Sequence, residues 1–149
     1  MELSFVPQPE RRHTEMGLAV VPEGLERLLV WLHERYGQPP MYITENGAAF
    51  IDEPDEHEFV QDHERIAYVR AHLRAARAAM NAGVDLRGYF VWSLLDNFEW
   101  ADGYEKRFGI VRCDNATLKR TIKASGKWYA DVIRTGVVAD NSSIPEQAA

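Results

Sequence analysis

Tyr42-Ile43-Thr44-Glu45-Asn46-Gly47 and, half a chain later, Trp92-Ser93-Leu94-Leu95-Asp96-Asn97-Phe98-Glu99-Trp100 decide the fold of this sequence. The first stretch begins with the β-prone run Met41-Tyr42-Ile43-Thr44, bounded by Pro39-Pro40 before and Asn46-Gly47 after. Such a run reads as a short buried strand that ends in a turn. The second stretch closes another apolar run, residues 84–95, whose internal Arg87-Gly88 marks an irregularity in a strand. Each strand delivers polar and aromatic residues at its C-terminal end.

Helical patterns surround these strands. Pro22 suits a first helical turn. Leu25, Leu28, Leu29, Leu32 and Tyr36 then recur at helical spacing until Gly37 and the prolines stop the run. Residues 47–55 read as a loop. Over residues 57–82, Phe59, Ile66, Val69, Leu73, Ala76 and Met80 share one face of an amphipathic helix that ends at Asn81-Ala82-Gly83. Residues 96–117 form a long loop with a short strand at Phe108-Gly109-Ile110-Val111, and long loops in compact domains are often functional. A final helix is expected over residues 119–134, with Trp128, Val132 and Ile133 inward and Gly136 at its end. The polar start, residues 1–13, reads as a loop, and residues 137–149 as a disordered tail after a domain at 1–136. Strand–helix–strand–helix order implies a parallel sheet with right-handed crossovers. Chemistry then collects beyond the carboxyl ends of the strands.

Composition narrows the class. With 149 residues, a net charge of −6 and 46% hydrophobic residues, the chain has the make-up of one globular domain. The acidic balance and the lack of a basic cluster argue against a nucleic-acid partner. The longest apolar run is too short to cross a bilayer, so no membrane partner is expected. Cys113 stands alone and rules out an intrachain disulfide. The first ten residues lack the basic start and apolar run of a signal peptide. A cytoplasmic location is the expectation.

Among candidate site residues, Glu45 reads either as a turn residue before Asn46-Gly47 or as a nucleophile or base at a strand end. Trp92 reads as strand core or as a ring platform. Glu99-Trp100 places a charged acceptor beside a large ring in a loop, which suits a sugar: indoles pack on the apolar faces of a pyranose, and a carboxylate accepts its hydroxyls. Asp96 and Asn97 are read as satisfying loop backbone rather than as a second carboxylate or metal ligand. Phe108 could wall the site or pack in the core. His33-Glu34, His57-Glu58 and His63-Glu64 begin like a zinc-protease helix, but none has the second histidine at the required spacing. His57, His63 and His72 read as solvated surface residues. No metal and no cofactor is expected.

These motifs carry a resemblance. Residues 14–136 are similar to the family 1 glycoside hydrolases, anchored by Pro22-Glu23-Gly24-Leu25, Tyr42 through Gly47, Gly88-Tyr89-Phe90, Trp92 through Trp100, and Gly103-Tyr104-Glu105-Lys106-Arg107-Phe108-Gly109-Ile110-Val111, in the family's order. The resemblance implies an α/β fold: the C-terminal part of a TIM (β/α)8 barrel, its last two parallel strands with flanking helices. A complete barrel needs roughly 250 residues, so a C-terminal fragment is expected.

The resemblance also implies a role for each site residue. Glu45 corresponds to the nucleophile of a retaining double displacement, and Trp92, Glu99 and Trp100 to the residues that hold the glycone. The implied reaction is hydrolysis of terminal β-D-glucosyl or related β-glycosyl residues, with a β-glycoside or oligosaccharide as the small-molecule partner. The family's acid/base is a Glu in an Asn-Glu-Pro motif on an earlier strand, and this sequence contains no Asn-Glu dipeptide. A missing N-terminal barrel half, from the same gene or a separate chain, is the expected partner. The alternative is a truncated, catalytically incompetent fragment or a weak carbohydrate-binding remnant. Unpaired strand edges and an uncovered apolar face imply a tendency to aggregate. Met16-Gly17 is followed by Leu18 where the family often has Trp, so aglycone preference does not carry over.

Overall fold

The computed structural model describes residues 8–139. Helix α1 (Pro22–Arg35) leads to strand β1 (Met41–Asn46), helix α2 (His63–Asn81) and strand β2 (Leu86–Val91). A single 3₁₀ turn (Trp100–Asp102) follows, then strands β3 (Val111–Cys113) and β4 (Arg120–Ile122) and helix α3 (Ala124–Thr135). Strands β1 and β2 pair in parallel, and β3 and β4 form a separate antiparallel pair. Two parallel strands with helices packed on them match the piece of a (β/α)8 barrel that the resemblance implies. The tail expected over 137–149 falls outside the described residues after position 139, as do residues 1–7 of the N-terminal loop.

All three helices cover one face of the β1–β2 sheet. Ile43 of β1 packs with Leu29 of α1, Ala76 and Ala79 of α2, and Val84. A second cluster joins Phe59, Ile66 and Val69 to Ala124 and Trp128 of α3, with Tyr89 and Val91 of β2 against it. Small alanines on α2 let α1 and the sheet approach closely, which gives the dense packing that protein interiors require. The other face of the sheet is open: Tyr42 and Phe90 are both exposed there. Among the described residues no helix is long and apolar enough to cross a membrane.

Several boundaries differ from the sequence reading for local reasons. Helix α2 starts at His63 rather than near His57, because Asp55 folds the preceding residues into a turn. Its carboxylate accepts the amides of His57 and Phe59, each at 2.9 Å. The last helix starts at Ala124 rather than Lys119, because residues 120–122 are taken up in pairing with 111–113. That pairing also shifts the short strand from the expected 108–111. Met80 and Ile133, expected inward, are exposed, whereas Trp128 is buried as predicted.

His72 is the largest departure. It is buried rather than solvated, stacks on Tyr68 with ring centroids 4.0 Å apart, and places Nδ1 2.8 Å from the Tyr68 carbonyl. Helical periodicity reports which face a residue occupies, but not that a neighbouring aromatic makes a polar ring tolerable inside.

Two outcomes test this packing. Trp128→Ala should lower unfolding free energy by ~3–5 kcal/mol, the range for removing a buried aromatic. Ile133→Ala should stay within about 0.5 kcal/mol of wild type; urea unfolding distinguishes them. Burial pushes the His72 imidazole below its ordinary 6.5, outweighing the opposite pulls of the Tyr68 carbonyl and Glu23. The folded state then binds fewer protons than the unfolded chain. Its contribution is whole above pH 6.5 and is lost as pH falls through the lowered folded value. His72→Phe keeps the stacking ring without the titration, so its urea midpoint should fall less between about pH 7 and about pH 5 than that of wild type. Equal falls would show that His72 does not contribute.

Candidate active site

The parallel ladder aligns the carboxyl ends of β1 and β2, and its irregularities shape the site. Met41 pairs with Leu86 and Tyr42 with Gly88, so the register slips at Arg87, where the sequence marks an irregularity. A second slip lies between Ile43–Tyr89 and Asn46–Val91. Thr44 and Glu45 there lie opposite Phe90 alone. Side chains alternate along a regular strand, so Glu45 would share the buried face of Ile43. The extra residue breaks that alternation, and Thr44 and Glu45 are both exposed. Bulges of this kind re-aim side chains and concentrate beside active sites. No residue type in the sequence announces this one.

Asn46, immediately after Glu45, is held from behind. Its side-chain oxygen accepts the Tyr89 hydroxyl at 2.6 Å, and Tyr68 also bonds it. Burial pushes both phenols above their usual range, so they act as neutral donors. On the other side, the Asn46 carbonyl accepts the Trp92 amide at 3.0 Å. Gly47 follows, and a side-chain carbon there would lie 1.6 Å from the Trp92 carbonyl oxygen. Only glycine lets the two strand ends meet so closely. The structure thus sets the backbone of Asn46 and Gly47, which directly follow Glu45, against that of Trp92.

Trp92, joined to Ser93 by a cis peptide, is 39% exposed, so it is only partly taken up by the core. Glu99 and Trp100 sit farther out, on the loop that hangs from the end of β2. Glu99 donates its amide to the Gly103 carbonyl at 2.6 Å and is half-buried. Trp100 is 83% exposed and has φ +43°, which a bulky residue rarely adopts. Strain of that kind gathers at functional sites. Phe98 and Tyr104 brace the loop edge-to-face, with ring centroids 5.4 Å apart. Phe108 is half-buried, and its carbonyl accepts the Ser93 amide.

Asp96 and Asn97 satisfy loop backbone as the sequence predicts. Asp96 accepts the Gly109 amide at 2.9 Å, and Asn97 donates to the Leu95 carbonyl at 3.1 Å and to Ser93 Oγ at 3.0 Å. Asp96 does more than that, because it also accepts from Lys123 at 2.8 Å and pairs with Arg107 at 3.4 Å. Hydrophobic periodicity could not reveal these partners, since Lys123 is read there as an ordinary helix residue. The segment with Met16-Gly17-Leu18 reaches the same end of the sheet. The Glu15 amide donates to Ala49, and its carboxylate pairs with Lys106 at 3.0 Å. Among the described residues no group of three or more His, Cys, Asp or Glu side chains is arranged to hold a metal ion.

An exposed carboxylate at one strand end, with two indoles and a second carboxylate at the next, can attack or stabilise a cationic carbon while rings and acceptors hold a polyol. Known proteins are similar to this chain in sequence and fold. The family model of glycosyl hydrolase family 1 matches residues 2–137. Beta-glucosidase A of Thermotoga maritima is 50% identical over 93% of this chain, which spans 31% of that protein. A 1,4-beta-D-glucan glucohydrolase of Thermotoga neapolitana is 54% identical over 85% of this chain and 29% of its own length. The solved family 1 β-glucosidase from T. maritima superimposes with a TM-score of 0.89 at 51% identity, over 92% of this chain and 31% of that one. A further structure from that organism is a complex with isofagomine lactam. The chain therefore spans about a third of the length of the relatives it matches, and it belongs to glycosyl hydrolase family 1.

Proposed function

We propose that this chain supplies the nucleophile and part of the glycone site of a retaining β-glucosidase-type hydrolase, completed by barrel strands that lie outside it. The observation that carries this reading is the register slip that exposes Glu45 at the carboxyl end of the sheet, one residue before the Asn46–Trp92 backbone contact. In the proposed reaction the Glu45 carboxylate attacks the anomeric carbon of a β-glucoside and forms a covalent glycosyl–enzyme. Water then releases the sugar with its configuration retained. Trp92 and Trp100 stack on the sugar ring, and Glu99 accepts its hydroxyls. The names of the relatives and the isofagomine lactam complex support a sugar-like ligand of this size.

The second carboxylic acid must come from the rest of the barrel, at about 5–5.5 Å from Glu45 in the assembled site. Without it, departure of an alkoxide loses a factor of ~10²–10⁴. Nitrophenolate needs little protonation, so a nitrophenyl β-glucoside is the most forgiving substrate for a site assembled from separate pieces.

The test combines this chain with the complementary part of a T. maritima β-glucosidase A barrel. Hydrolysis of nitrophenyl β-glucoside should appear in the complex and fall by ~10⁴-fold or more in Glu45→Gln, as for loss of a nucleophile elsewhere. A fluorinated glucoside that slows breakdown of the covalent intermediate should label the peptide containing Glu45, as read by mass spectrometry. Undiminished hydrolysis by Glu45→Gln, or a label on another residue, would refute the assignment.

A further inference from the structure

Lys123 breaks two local rules. It is fully buried, although an ammonium is rarely so placed unless paired. It also occupies the N-cap of α3, where the helix dipole disfavours a cation. The helix does not depend on it for a cap. Asp62, itself at the N-cap of α2, reaches across to accept the Ser125 amide at 2.8 Å and the Ser125 hydroxyl at 2.5 Å.

The ammonium instead bridges two loops. Nζ donates to Asp52, on the segment that follows Glu45, and to Asp96 at 2.8 Å, on the segment that leads to Glu99 and Trp100. Asp52 is held on its other side by both Arg65 terminal nitrogens, each at 2.9 Å. Asp96 in turn gathers both ends of its loop. It precedes Phe98, Glu99 and Trp100, and it binds Arg107 and the Gly109 amide, which close the loop behind them. A side-chain carbon on Gly109 would lie 2.2 Å from the Asp96 nitrogen, so the loop base is pinched as tightly as backbone permits. Beyond that base Trp100 has little packing of its own. Arg65, Lys123 and Arg107 balance Asp52, Asp62 and Asp96, so each buried charge meets an opposite one.

We propose that Lys123 is a positioning residue whose ammonium, shared by Asp52 and Asp96, fixes the loop bearing Glu99 and Trp100 relative to the strand end bearing Glu45. The inference rests on the assignment of those residues to the site. The fold itself already has its helix cap, its two apolar clusters and its ladder without this bridge. Lys123 adds the mutual placement of two loops that the ladder joins only at their roots.

Fluorine NMR of the full chain labelled with fluorotryptophan tests this directly, because the sequence holds four tryptophans, at 31, 92, 100 and 128. Trp100→Phe assigns the loop signal. In Lys123→Met and Asp96→Asn, the Trp100 resonance should shift or broaden while that of Trp31 on α1 stays in place. Asp52→Asn should do the same, although Asp52 lies on the other loop and meets Asp96 through Lys123. If Lys123→Met fails to fold, the two isosteric aspartate variants decide. An unmoved Trp100 signal in both would overturn the proposal. So would collapse of all four signals together, which would make the bridge a requirement of the fold. No substrate enters this measurement. Failure of Glu45→Gln to abolish hydrolysis would sink the functional reading while leaving the bridge standing, and an unmoved Trp100 would do the reverse.

Discussion

Everything at the candidate site depends on the parallel pairing of Met41–Asn46 with Leu86–Val91. Parallel strands run in the same direction, so both carboxyl ends lie at one edge, and the segments leaving them must start as neighbours. The helix between them is the connection that parallel pairing demands. Its alanines press the sheet against α1, and its Tyr68, stacked on His72, bonds Asn46 from behind. The ladder is imperfect where it matters. A uniform one would bury Glu45 beside Ile43, and an unpaired carboxylate there would cost several kcal/mol or take up a proton.

Two kinds of support meet at that edge, and they differ in reach. Close support comes from the strand ends themselves: Asn46 with Trp92, Gly47 against the Trp92 carbonyl, and two half-buried tyrosines behind Asn46. It fixes positions adjacent to the ladder and nothing beyond them. Longer support comes from charge. Asp52, Asp62, Arg65, Asp96, Arg107 and Lys123 link the loops after both strands to the starts of α2 and α3. Ion pairs this deeply buried add little net stability against an apolar substitute, but breaking one is costly because it strands a charge. They suit the placement of loops better than the holding together of a core.

The sheet's second face tells of incompleteness in physical terms. Tyr42 and Phe90 are exposed on it, and Leu94 just past β2 is exposed as well. Among the described residues both strands also have an unpaired outer edge, since each pairs only with the other. Soluble proteins seldom leave such surface bare. The neighbouring strands of a barrel would cover it, in keeping with a chain that spans about a third of its relatives.

The sequence by itself determined the lineage, the two strands and the positions of Glu45, Trp92, Glu99 and Trp100 along the chain. These depend on contiguous residues: a β-prone run ending in Asn46-Gly47, or a charged residue next to a tryptophan. It also located the slip at Arg87-Gly88, because a glycine within an apolar strand is visible locally. Tertiary structure alone decided which way Glu45 faces, since its slip arises from pairing with Phe90 and not from any residue in β1. It alone revealed His72 as buried, because burial depends on what packs against α2, and Lys123 as a bridge, because Asp52 and Asp96 lie on other segments. The Asp52–Lys123 contact spans 71 positions. Periodicity reports the face of an element, whereas charge pairing across such a distance exists only once the chain has folded.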